Sequence, residues 1–233
     1  MNVYALTPTG NRPEGLALLG EYINAQTFKG RLNWVVVDDC DPATPLPKIR
    51  KEFHMEHIRP NWRWHPGQNT QSKSLKAGLD KIPADAILFI LEDDDIYLPG
   101  YIETMLEAMK DYELIGEHDS RYYNVCTAKF RVLTGHFHSS LCSTVCRGNA
   151  LKTFRQLCTI GMKKMIDVTL WKTFQGEKKL LSDHNVIGIK GLPGRAGIGI
   201  GHKRNFGSVD INDTLHQWAG NYADNYKIFR SMV

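Results

Sequence analysis

The chain has 233 residues, of which 42% are hydrophobic, 23% charged and 10% aromatic, and its formal net charge is +4. This length and apolar content suit one large domain with a real core and exclude intrinsic disorder. No apolar run approaches the ~18 residues of a membrane span, and the opening MNVYALTPTG lacks the basic and apolar regions of a signal peptide, so a cytoplasmic protein is expected.

Cys40, Cys126, Cys142, Cys146 and Cys158 fit neither a disulfide framework nor a CxxC zinc site, which agrees with a reducing compartment. The modest net charge conceals a division. Residues 1–120 carry twelve lysines and arginines against nineteen acids, whereas residues 121–233 carry seventeen against six. The second half either faces an anionic partner or neutralises the first half across an internal interface.

In chain order, Asn2–Leu6 reads as a short strand ending in the turn-rich Thr7-Pro8-Thr9-Gly10-Asn11-Arg12. Pro13 suits the first turn of a helix carrying Leu16, Ala17, Leu19 and Ile23 at helical spacing. Trp34–Val37 is a β-branched run of the kind buried in a parallel sheet, and it stops at Asp38-Asp39. After the proline-rich Asp41–Pro47, a strand is expected near His57–Arg59, and Trp62 and Trp64 either stack on a ligand or cover the sheet edge. Ser72–Ile82 reads as a helix, Ala86–Leu91 as a buried strand closed by Glu92-Asp93-Asp94-Asp95, and Pro99–Lys110 as a helix.

The second half is less regular. Strands are expected at Lys129–Leu133 and Leu141–Cys146, a helix at Asn149–Cys158, a glycine-rich segment from Gly188 to Gly201, and a C-terminal helix from Asp210 with an aromatic stripe of Trp218, Tyr222, Tyr226 and Phe229. This alternation implies a doubly wound α/β sheet. Such sheets bind ligands beyond the carboxyl ends of their strands, where Thr7 and Thr9, Asp38 and Asp39, and Asp93 to Asp95 all fall.

Four consecutive acids repel one another unless a cation neutralises them. If the strand geometry continues, Asp93 and Asp95 point together and Asp94 points away. Two such carboxylates offer hard ligands for Mn²⁺ or Mg²⁺, which in turn would hold nucleotide phosphates. A solvated acidic turn is the plainer account. His202, beyond the glycine-rich run, suits a third metal ligand, and Lys203 and Arg204 a diphosphate clamp; a flexible surface loop is the blander account. His136 and His138 lie either near an acceptor channel or simply on a polar surface.

The ordered set Thr7-Pro8-Thr9, Val35-Val36-Val37-Asp38-Asp39 and Leu91-Glu92-Asp93-Asp94-Asp95 with Pro99-Gly100-Tyr101 resembles the family-2-like glycosyltransferases of the GT-A fold, well over residues 2–110 and in outline beyond. The resemblance implies a single α/β domain with a GT-A-like, Rossmann-type, mostly parallel sheet flanked by helices. Residues 1–120 would form the nucleotide-sugar-binding half and residues 121–233 the basic, acceptor-binding half. It also implies a nucleotide diphosphate sugar donor, a UDP-sugar, with Thr7, Thr9 and Arg12 around the base and ribose and Asp39 or Asp38 accepting from the base. Asp93 would face the ribose or sugar and Asp95 would hold the metal. Lys73 or Lys76 stands where the family often has an arginine.

An inverting transferase needs a carboxylate base, and Asp167, opening a helix as such a base does in the similar family, fits it; an N-cap role suits the same residue, and Asp183 is the reserve. The positive second half makes DNA an expected acceptor, in line with bacteriophage enzymes of similar kind that glycosylate hydroxymethylated pyrimidines and must extract the base from the stack. A saccharide acceptor, a metal-dependent nucleotidyltransferase and a non-catalytic nucleotide-sugar-binding module are the alternatives. No GxGxxG follows the first strand, which argues against a dehydrogenase.

Overall fold

The computed structural model describes residues 2–135, 137–162, 164–195 and 206–231. Its main sheet has seven strands, β1 (Val3–Thr9), β2 (Leu32–Asp38), β3 (His54–Ile58), β4 (Ile87–Ile90), β6 (Leu114–Glu117), β9 (Thr144–Cys146) and β10 (Lys178–Leu181), in the order β10-β6-β9-β4-β1-β2-β3. All neighbours are parallel except β9, which runs antiparallel to both β4 and β6.

Alternate residues of β2 divide between two cores, as a pleated strand with both faces covered requires. Trp34 and Val36 enter one core, and Val35 and Val37 the other. The first core is packed by α1 (Pro13–Asn24) and α3 (Tyr101–Ala108), the second by α2 (Gln71–Leu79), α4 (Gly148–Thr159) and α5 (Ile166–Thr173). Pro13 opens α1, and Leu16, Leu19, Tyr22 and Ile23 form its buried stripe.

β1 runs three residues past its expected end and includes Pro8. Pairing with β4 has already stopped at Leu6, so the missing N–H of Pro8 interrupts no ladder on that side. Because β2 and β4 flank β1 on opposite sides, the strand order reverses at β1, the point beyond whose carboxyl end such sheets place their ligand crevice.

A second sheet, in the order β12-β8-β7-β11-β5, comprises β5 (Ile96–Tyr97), β7 (Ser120–Asn124), β8 (Lys129–Leu133), β11 (Val186–Lys190) and β12 (Ser208–Val209). Its centre corrects two expectations. The glycine-rich segment from Gly188 is not irregular at its start, which lies inside β11, a strand buried at every position. Gly188 is there because a Cβ would stand 2.3 Å from the Tyr122 ring. The C-terminal segment is not one long helix either. It is the short α6 (Thr214–Ala219), broken at Gly220, followed by 3-10 turns over Gly220–Ser231, docked by a 2.9 Å hydrogen bond from the Tyr22 hydroxyl to that of Tyr226. No helix among the described residues is long and apolar enough to cross a membrane.

Glu117, at the end of β6, accepts the backbone N–H groups of Asn185 at 2.6 Å and Val186 at 3.0 Å, tying the two sheets together. Burial nevertheless pushes its carboxyl up from 4.5 to about 7. A folded value above the unfolded one means the folded state binds this proton more tightly. The stabilisation is therefore complete below the unfolded value and is lost as pH rises through about 7. The urea midpoint is expected to fall between pH 5 and pH 8, and Glu117→Gln to flatten that slope; an unchanged slope in the variant would place the dependence elsewhere.

Candidate active site

The acids after β4 form a turn, not a strand, so alternation does not govern them. Asp93 and Asp95 do not pair off with Asp94 turned away; all three are buried and lie between two cations. Arg12 places Nη1 2.8 Å from Asp93 and 3.1 Å from Asp94. Lys190, at the end of β11, places Nζ 3.3 Å from Asp94 and 3.2 Å from Asp95. Thr9 donates to Asp93 at 2.7 Å across the mouth of the crevice.

Burial and mutual repulsion outweigh these cations at Glu92, whose carboxyl is pushed up to about 8, and burial raises Asp95 to about 6 despite Lys190. Asp93 is also raised, by burial in excess of the pull of Arg12.

Carboxylates this crowded and buried are where a divalent cation would relieve repulsion. One atom points to where such an ion fits. Asp95 Oδ1 accepts the Ile189 N–H at 2.9 Å, whereas Asp95 Oδ2 is buried with no hydrogen-bond partner among the described residues. Ligand atoms of Asp95, Glu92 and Cys142 lie within 4.8 Å of one another, the single such cluster among the described residues. Carboxylates suit Mn²⁺ or Mg²⁺; Cys142, its thiol raised well above the usual range by burial, is a poor partner for either.

The two acids ending β2 have different surroundings. Asp38 is saturated, accepting from the backbone N–H groups of Cys40 and Thr44, the Thr44 hydroxyl and Arg59. It fixes the loop that follows. Asp39 faces the crevice and accepts from Thr70, from Ser74 at 3.3 Å and from Arg195 Nη1 at 2.9 Å. Gly10 makes room here, since a Cβ on it would meet Asp39 Oδ1 at 2.5 Å. Thr7 instead accepts the Trp34 indole N–H at 2.9 Å inside the core. Lys73 lies over the Trp62 ring, 4.1 Å from its centroid, and Lys76 pairs with Asp80 on the surface.

Glu92 connects this crevice to a cavity of about 150 Å³ lined by Gln71, Glu92, Tyr122, Ser140, Cys142 and Asp167, among others. Gln71 holds Glu92 at 2.7 Å. Asp167 lies in the first turn of α5 and is not its N-cap; that position belongs to Met165, in the left-handed region at φ 58°, and no side chain caps the helix. Burial raises the Asp167 carboxyl above the ordinary aspartate value, with His138 among the neighbours that pull it back. Asp183 is exposed and does not line the cavity. His136, His202, Lys203 and Arg204 lie outside the described residues.

The sequence does not single out Lys190 or Arg195, because both fall in the glycine-rich segment from Gly188 to Gly201. The available signal was a lysine closing the buried run Val186-Ile187-Gly188-Ile189-Lys190, together with the opposite charge of the two halves. Both cations come from the positive half and pair with acids of the negative half, so part of the charge division is internal neutralisation.

The acidic turn and the adjoining cavity sit on a GT-A-like mixed α/β sheet. The chain belongs to glycosyl transferase family 2, whose family model matches residues 4–172. The curated Drosophila melanogaster galactosylgalactosylxylosylprotein 3-beta-glucuronosyltransferase I is 26% identical over 115 residues, 41% of this chain and 38% of that protein. Among solved structures, S. aureus TarS 1-349 in complex with UDP superposes with a TM-score of 0.56 at 13% identity, over 81% of this chain and 60% of that one. The same protein in complex with UDP-GlcNAc gives 0.56 at 13% identity, over 84% and 60%. At that identity the likeness shows the fold alone. This chain spans less than two-fifths of the curated relative's length and 37% of the longer TarS chain.

Proposed function

We propose that the protein transfers a glycosyl group from a UDP-sugar to a hydroxyl acceptor, with Mn²⁺ or Mg²⁺ in the acidic turn and Asp167 as the base. The observation that carries this reading is the position of Glu92, shared by the acidic cluster and by the cavity that Asp167 lines. Residues 1–120 supply the donor crevice through Thr9, Arg12, Asp39 and Asp93 to Asp95. Residues 121–233 supply Tyr122, Ser140, Cys142 and Asp167 to the acceptor cavity, and Lys190 as a counter-charge.

Asp95 and Glu92, with Asp93 and Asp94 beside them, would hold the ion; when bound, it supplies positive charge to the departing diphosphate. Asp39 accepts from the base, and Thr9 with Arg12 orients Asp93 toward the ribose or sugar. Asp167 takes the acceptor's hydroxyl proton as that oxygen bonds to the anomeric carbon and the bond from that carbon to the diphosphate oxygen breaks. Its raised pKa makes it a stronger base than a solvated aspartate.

The cavity is the size of one ring and is lined with hydroxyl, amide and carboxyl groups, which favours a saccharide acceptor. The remaining positive charge of residues 121–233 favours the second reading, a hydroxymethylated base in DNA. A panel of nucleotide sugars with Mn²⁺ tests both, offered simple sugars, plain DNA and hydroxymethylated DNA; transfer to sugars that persists in high salt selects the first reading. Asp167→Asn is expected to lower transfer about 10²–10⁴-fold and to leave UDP affinity unchanged. Full activity in that variant would remove Asp167 from the mechanism.

A further inference from the structure

The Arg195 guanidinium lies on Asp39, the residue that the proposed function gives to the nucleobase. Nη1 donates to Asp39 Oδ1 at 2.9 Å, and Nη2 donates to the Thr70 hydroxyl at 2.6 Å. The guanidinium carbon lies 5.0 Å from the centroid of the Trp64 ring. A planar group donating in-plane N–H bonds to a carboxylate while facing an indole reproduces what a pyrimidine ring with its own in-plane N–H would do.

The surroundings are built to hold that geometry. The Trp64 backbone N–H donates to the Asp39 carbonyl at 2.8 Å, and its indole N–H donates to the Gln68 carbonyl at 3.1 Å. The stacking face is thereby fixed relative to the carboxylate. Arg195 is anchored through its backbone, its N–H donating to the Asn11 carbonyl at 3.1 Å and its carbonyl accepting from Arg12 Nε at 2.7 Å. Only the side chain has to leave for the pocket to open, and Gly10 keeps the space beside Asp39 Oδ1 clear of a Cβ.

We propose that Arg195 is an intramolecular occupant of the nucleobase site, holding the Asp39 bond and the Trp64 face until a uridine nucleotide displaces it. This rests on the UDP-sugar reading above and adds two assignments to it: Trp64 as the stacking wall and Arg195 as a competitor of the donor. Affinity for the nucleotide is then reduced by the fraction of molecules in which the guanidinium is seated.

Free uridine is the discriminating probe, because it carries the base without the diphosphate. Its binding to the full chain is measured by calorimetry, alongside UDP with Mn²⁺. Arg195→Ala is expected to tighten uridine about 5–10-fold, the lower end of ordinary coupling between sites. Trp64→Ala is expected to weaken it at least about 5-fold, and Trp64→Phe to restore most of the loss, as stacking on an aromatic face predicts. UDP should follow the same order.

Unchanged or weaker uridine binding in Arg195→Ala overturns the competitor role, since weakening would make Arg195 a ligand of the base. Equal binding by Trp64→Ala overturns the stacking wall. In either case wild-type binding of UDP leaves the transferase reading standing. If neither the folded wild type nor Arg195→Ala binds UDP with Mn²⁺, the transferase reading falls and this inference falls with it.

Discussion

Lys190→Met is expected to destabilise the protein by about 3–5 kcal/mol, the cost of leaving one side of a buried ion pair uncompensated. Burial alone would lower the Lys190 pKa, yet Asp94, Asp95 and Glu92 together hold it well above its usual value. The lysine is therefore charged, and it serves two carboxylates at once, 3.3 Å and 3.2 Å away. Methionine fills the volume and removes the charge, leaving Asp94 with Arg12 and Asp95 with the Ile189 N–H and the Cys142 thiol.

Acids in that position regain protons in place of a counter-ion. The defect should consequently shrink as pH falls toward 5, and Asp95→Asn should recover part of the stability of the Lys190→Met variant. Urea denaturation at pH 8 and pH 5 reads both effects. A variant as stable as the wild type at pH 8 would mean that the cluster is neutralised by something other than this lysine.

Asp95→Asn alone is expected to lower sugar transfer about 10²–10³-fold, the usual loss when one charge-stabilising group is taken from a transition state. Asparagine keeps an oxygen for the Ile189 N–H, so the turn retains its local hydrogen bond. What it loses is the negative charge on the atom with no hydrogen-bond partner among the described residues, Asp95 Oδ2, which we assign to the divalent ion. The assay is release of UDP from a UDP-sugar with Mn²⁺ titrated in, beside a thermal melt to show that the variant is folded. Full activity at low Mn²⁺ would move the ion away from Asp95. Chelation should abolish wild-type turnover, and Mn²⁺ should restore it.

Most strands of the main sheet were legible because they are apolar runs closed by polar residues. Val35–Val37 before Asp38-Asp39 and Ile87–Leu91 before Asp93 show sheet burial and strand end in a few adjacent letters. β6, β7 and β10 were not legible. Leu114–Glu117 and Lys178–Leu181 are four-residue segments whose partners, each other and β9, lie elsewhere in the chain, and so short a window carries no period. β11 carries no strand signal in sequence because its Gly188 is a packing requirement of Tyr122, which no local rule anticipates.

The candidate site divides along the same line. Thr9, Asp39 and Asp93 to Asp95 are identifiable as residues at the edge of a sheet, and Arg12 only through the family resemblance. Their pairings are not. Alternation put Asp94 on the wrong side because a turn, unlike a strand, imposes no two-residue period. Asp38 and Asp39 look equivalent in sequence; only the loop folding back through Cys40 and Thr44 makes one structural and leaves the other facing the crevice.

By itself, the sequence determined the parallel core, the edge at which polar groups gather and the acidic character of the turn, because each depends on neighbouring residues. Tertiary structure decided which charges meet. Lys190 reaches Asp94 from 96 positions away and Arg195 reaches Asp39 from 156. Contacts of that separation are set by how two sheets pack, and the strength of a charge–charge interaction depends on distance and burial, quantities that exist only once the chain has closed.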